Sequence, residues 1–171
     1  MSKYSVEPKS RNELRKLAKE IRIKLGVDDQ LYFPVVELLE ALPNIFGDVD
    51  YEIVDDSELP KNIHAITDIK SKIIKIKETV YNLACEGSGR DRMTILHEIA
   101  HYLTLCEFNF ALARSFEEEE IPAYCDPEWQ AKCLAGEIMM PADKINNMNP
   151  NQVMKECGVS WDAACFQLSK I

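Results

Sequence analysis

The period of the apolar positions changes along the chain, and each change marks an element. After Ser10 and Glu13, a capping-box pair three residues apart, Leu14, Leu17, Ala18, Ile21 and Leu25 recur at helical spacing. Gly26 then supplies the stop. A second short helix is predicted from about Phe33-Pro34, with Val35, Leu38 and Leu39 turned inward. From Val49 to Lys77 the pattern becomes strand-like, in three segments rich in β-branched residues: Asp50 to Val54, Ile63 to Asp68 and Lys72 to Lys77. The last two read as a hairpin. In Lys72–Lys77 the alternation sets Ile74 and Ile76 on one face and Lys75 and Lys77 on the other, which suggests a lysine-guarded sheet edge.

Helical periodicity returns from about Gly89 to Leu105, with Met93, Leu96, Ala100 and Leu103 as its apolar stripe. Asp126-Pro127-Glu128 opens another helix, with an N-cap and a first-turn proline, running to about Met140 before Pro141. Two shorter helices, about Asn149 to Cys157 and Ser160 to Lys170, are split by Gly158. The expectation is one α+β domain over residues 1–171, mostly helical, with a small three-stranded sheet.

Composition narrows the class. The 171 residues are 46% hydrophobic and 8% aromatic, as in a globular protein, and no apolar run nears the roughly 20 residues of a membrane helix. Met1 to Arg15 lacks the apolar core of a signal peptide, so the cytoplasm is the expected compartment. Reducing conditions there make most of the six cysteines (85, 106, 125, 133, 157, 165) small core residues rather than a disulfide frame, with a thiol sensor as the alternative, and no pair has Cys-x-x-Cys spacing. A net charge of −9 opposes phosphate binding; on charge alone it serves solubility, and it would also suit a basic partner. The run Glu117 to Glu120 reads as a solvated loop, or as a lure for such a partner.

The chemistry centres on His97-Glu98-Ile99-Ala100-His101. Histidines four apart lie one turn apart on a helix face, so both imidazoles can reach one ion. Zinc takes nitrogen ligands, and a catalytic zinc keeps a place for water, whose proton Glu98 is placed to accept. The alternative is a pair of structural histidines, although chance would produce the pattern in a chain this size well under ~1% of the time. A third ligand is needed. His64 sits alone in the hairpin, whereas Glu128 and Glu137 lie on the next helix. Ala131 and Ala135 follow Glu128 at i+3 and i+7, giving a small-residue face that can approach the histidine helix; Glu137 lies round the helix from it. Glu128 is therefore the expected third ligand. Tyr102 and Tyr124 are available to steady an oxyanion, and the hairpin 63–77 could take an extended peptide by strand addition.

Two stretches together resemble the ImmA/IrrE family of metallopeptidases. One is Arg90-Asp91-Arg92-Met93-Thr94-Ile95-Leu96 leading into the histidine motif; the other is Glu128-Trp129-Gln130-Ala131-Lys132-Cys133-Leu134-Ala135-Gly136-Glu137-Ile138-Met139-Met140-Pro141. The second is similar to the family signature Glu-x-Glu/Gln-Ala-Asn-x-Phe-Ala-x-x-Leu-Leu-Met-Pro. Lys132 stands where Asn is usual, Leu134 where Phe is usual, and Ala100 where Gly is common. The resemblance implies a zincin-like domain, a Zn2+ cofactor on His97, His101 and Glu128, and Glu98 as the catalytic base. It further implies a regulatory endopeptidase whose protein substrate is a helix-turn-helix repressor, often tied to mobile elements or stress responses; the net charge argues against direct contact to nucleic acid. Two other readings stay open. One is a zinc protein that sequesters a repressor without hydrolysis. The other is a DNA-binding module, because Cys157 to Ala163 resembles the turn of a helix-turn-helix, although residues 143–171 carry three acidic and three basic groups and offer no phosphate-gripping face.

Overall fold

The computed structural model describes residues 4–107, 113–114 and 121–171, so the glutamate run 117–120 lies outside the described residues. In chain order the elements are β1 (Tyr4–Ser5), α1 (Arg11–Lys24), α2 (Val35–Phe46), β2 (Asp50–Val54), β3 (Ala65–Asp68), β4 (Ile73–Lys77), α3 (Glu78–Cys85), α4 (Gly89–Tyr102), β5 (Ala113–Arg114), α5 (Pro127–Met139), α6 (Ala142–Ile145), α7 (Pro150–Cys157) and α8 (Trp161–Leu168). This is the mostly helical α+β fold the periodicity predicts, with a small sheet of three strands and a two-residue pairing of β1 with β5. Among the described residues no helix is long and apolar enough to cross a membrane.

Local chemistry explains most boundaries. The Ser10 and Glu13 side chains close a capping box on α1, and Gly26, at φ +69°, follows its end in the left-handed region. The Asp126 side chain accepts from the Glu128 N–H at the head of α5, where Pro127 has no N–H to satisfy. Helix α4 is capped by Ser88 and continues past Tyr102 as a π-helical turn, Leu103–Glu107.

The sheet corrects one expectation. Its order is β2-β4-β3, with β4 parallel to β2 and antiparallel to β3, so the lysine-bearing strand is central and guards no edge. Lys75 pairs with Glu52 on β2 at 3.6 Å. Lys77 is buried, and its Nζ donates to the Pro60 carbonyl at 3.0 Å. Strand β3, paired among the described residues only with β4, is the edge that lies beside α4.

Two buried arginines brace this frame. Arg22 on α1 donates to the carbonyls of Ile138 at 2.7 Å, Val27 at 3.1 Å, and Gln30. Arg92 on α4 donates to Phe33 at 2.6 Å, Cys157 at 3.1 Å and Gly158, with its guanidinium 3.8 Å over the Tyr32 ring. Each supplies donors to main-chain carbonyls at and beside helix ends, in place of water. The α7–α8 turn thereby serves the fold: Gly158 (φ +63°) packs against Arg92, and Gly89 at the head of α4 touches the backbone of Val159.

Candidate metal centre

Helices α4 and α5 pack through the small-residue face, where Ala131 and Ala135 are fully buried against the stripe of Leu96, Ala100 and Leu103. That close approach sets Glu128, in the first turn of α5, opposite the two histidines. His97 Nε2 and His101 Nε2 stand 3.0 Å apart with their rings nearly perpendicular at 89°. The Glu128 carboxylate spans both, one oxygen 3.2 Å from each Nε2. Tetrahedral zinc with bonds of about 2.0–2.1 Å requires ligand atoms about 3.3–3.4 Å apart, close to what these three already show. The donor set, two imidazole nitrogens and one carboxylate oxygen, is one that catalytic zinc uses. Among the described residues His97, His101 and Glu128 form the group able to hold a metal ion.

The electrostatics match that geometry. Burial opposes a charge on His101, but its contact with Glu128, assisted by the charges of Glu128, Glu98 and Asp126, raises its pKa. The same contacts from His101 and His97 hold the Glu128 carboxyl far below the ordinary carboxylate range. The Glu128 side chain is 70% exposed, so the group opens to solvent on the carboxylate side.

Glu98 is half-buried on α4 and makes no part of the ligand triangle. Its Oε2 accepts from the Thr67 hydroxyl at 2.8 Å, across from β3. Nothing in the sequence pattern marked Thr67; only the alternation of β3, which turns Ala65 and Thr67 to one face, bears on it.

The other candidates have different work. Glu137 is buried between Arg11, at 3.0 Å, and Arg15, at 2.9 Å. His64 faces the Arg90 guanidinium at 3.3 Å and stands outside the ligand group. The buried Tyr102 hydroxyl donates to Asp48 at 2.8 Å, and its ring stacks edge-on against Phe46. Tyr124 is exposed on the turn before α5, with its carbonyl accepting from Gln130 at 2.7 Å. The described cysteines are free thiols.

No protein-family model matches the chain, and no curated protein matches it. Among solved structures it is similar to one named Mycobacterium tuberculosis transcriptional regulator, at 16% identity and a TM-score of 0.63, over 92% of this chain and 46% of that one. This chain thus spans about half the length of that neighbour, and the likeness is one of fold.

Proposed function

We propose that the protein is a zinc-dependent metallo-endopeptidase of the ImmA/IrrE kind, acting in the cytoplasm on a regulatory protein of the helix-turn-helix repressor class. The observation that carries this reading is the convergence of His97, His101 and Glu128 at 3.0–3.2 Å beside a carboxylate, Glu98, that is not one of them. Those three residues would hold the ion. Zinc, when bound, supplies a Lewis acid that polarises a peptide carbonyl and lowers the pKa of water toward about 7.

The remaining work falls to the chain. Glu98 takes the proton of the attacking water and returns it to the leaving amine. Among the described residues strand β3 has a partner on one side only and runs beside α4, so an extended peptide added to its outer edge would lie along the histidines. The exposed Glu128 side keeps this cleft open to a macromolecule. The choice of a repressor rests on the resemblance of the two motif stretches. The net charge of −9 accords with a basic protein substrate and with no direct binding of nucleic acid.

The test incubates the purified, zinc-loaded protein with the repressor encoded beside its gene, next to a Glu98→Gln control. Cleavage by the wild type alone supports the peptidase. Binding without cleavage by either protein replaces it with a repressor-sequestering zinc protein, and DNA binding that survives moderate salt replaces it with a DNA-binding module.

A further inference from the structure

Thr67 lies in the middle of β3, the sheet edge nearest the metal helix. In that strand Ala65 is buried while Ile66 and Asp68 are exposed, so the two-residue alternation turns Ala65 and Thr67 toward α4. There the Thr67 hydroxyl stands 2.8 Å from Glu98 Oε2 and 2.9 Å from the Glu98 main-chain oxygen. A hydroxyl has one proton to donate. The Glu98 carbonyl sits within α4, where the i+4 residue, Tyr102, supplies a helical N–H. The carboxylate is the charged acceptor, and a charge-assisted bond is the stronger one.

We propose that Thr67 is the positioning residue for Glu98: its hydroxyl, presented from the edge strand, holds Oε2 and leaves Oε1 to exchange protons with water. What Oε1 then does rests on the peptidase reading, whereas the positioning is a property of the metal-free protein. A half-buried glutamate has three side-chain torsions and many orientations, few of which aim an oxygen at a water beside the histidines. Anchoring one oxygen from a rigid strand selects among them before substrate arrives. The device also links the surface proposed to take the peptide to the base that works on it, since both belong to β3 or touch it.

A structural tie between sheet and helix would also be weakened by losing this hydroxyl, so the test needs readouts such a tie would not move. In the metal-free protein, melting is measured for Thr67→Val, Glu98→Ala and the double variant. A bond to the carboxylate makes the two shifts non-additive, the double variant melting roughly 3 °C or more above their sum. Additive shifts overturn the proposal, whether or not the protein is a peptidase. On the repressor that the zinc-loaded wild type cleaves, Thr67→Val lowers kcat roughly 10- to 100-fold, the rate equivalent of one hydrogen bond to a charged group. KM and zinc affinity stay within about twofold, because Thr67→Val leaves unchanged the β3 main chain that would pair with the peptide, and Thr67 is not one of the candidate ligands. Thr67→Ser keeps the hydroxyl and restores kcat to within about threefold. An unchanged kcat in Thr67→Val, or a Thr67→Ser enzyme as slow as Thr67→Val, overturns the positioning role. If the wild type cleaves nothing, the peptidase reading falls, and the melting cycle still decides on Thr67.

Discussion

Glu128 and Glu137 share one helix, and replacing each by alanine should produce opposite phenotypes. The Glu137 side chain is 0% exposed and meets Arg11 at 3.0 Å and Arg15 at 2.9 Å. Breaking a buried pair costs about 3–5 kcal/mol. The two arginines are 19% and 29% exposed, so water recovers part of their solvation and the low end, about 3 kcal/mol, applies. For a chain of this size 1 kcal/mol moves Tm by about 2–4 °C, so Glu137→Ala should melt about 6–12 °C lower. Its zinc response should persist. Glu128, 70% exposed, contributes within about 1 kcal/mol to the metal-free fold, as surface pairs do. Free zinc at about 100 times Kd stabilises by about 2.7 kcal/mol, a rise of about 5–11 °C in the wild type. Losing a ligand should weaken zinc by at least the 10- to 100-fold that an outer-shell partner is worth. A 100-fold loss at the same free zinc shrinks the rise to about 1–2 °C. Thermal melts in zinc-buffered and chelator-treated solutions read all four quantities. A full zinc shift in Glu128→Ala would refute the ligand assignment. So would a Glu137→Ala protein that melts normally and has lost its zinc shift.

Three further outcomes follow from the same contacts. A Cβ at Gly89 would stand 2.6 Å from the Val159 carbonyl carbon and 2.8 Å from the Ser160 nitrogen, so Gly89→Ala should cost about 1–3 kcal/mol and lower Tm by several degrees. An unchanged melt would mean that the α7–α8 turn does not rest on α4. Burial pushes the Cys133 and Cys157 thiols up to about 11, so iodoacetamide at pH 8 should label the exposed Cys85 and spare these two until the protein is denatured. Native labelling of Cys133 or Cys157 as fast as Cys85, read by mass spectrometry, contradicts that. In the metal-free protein the raised His101 stabilises the fold below its unfolded value, near pH 6.5, and that contribution fades as pH rises through the folded value; the lowered Glu128 contributes above about pH 4.5 and fades in acid. Metal-free Tm should therefore decline from pH 6 toward 8 while the zinc-induced increment grows, because zinc needs neutral imidazoles; a metal-free Tm that climbs over this range counts against the His101–Glu128 pair.

What the sequence made legible is what local geometry determines. Two histidines at i and i+4, an Asp-Pro helix start and a face of small residues each operate within one helix, so the group that could hold a metal ion is legible before any packing is known. Strand order was not, because alternation reports which face a side chain takes and says nothing of its place in the sheet. Lys75 and Lys77 alternate with isoleucines as edge residues would, yet β4 is central, one lysine reaching Glu52 and the other a buried carbonyl. Helix α3 carries no start signal in the sequence, because it follows β4 without a turn and has no side-chain cap. Arg22 and Arg92 fall in polar positions of the pattern but are buried, since Arg22 reaches the Ile138 carbonyl and Arg92 those of Phe33, Cys157 and Gly158, all distant in the chain. The same limit explains the tail. Cys157-Gly158 has the form of a helix-turn-helix turn, but its carbonyls are taken by Arg92 from α4. Thr67 is the sharpest case, lying 31 positions from the carboxylate it holds. The motif names the candidate ligands and the proposed base, whereas the contact that would aim Glu98 comes from a strand and from the packing that brings it to α4; if the protein is the proposed peptidase, variants that loosen β3 should damage turnover before they damage zinc binding.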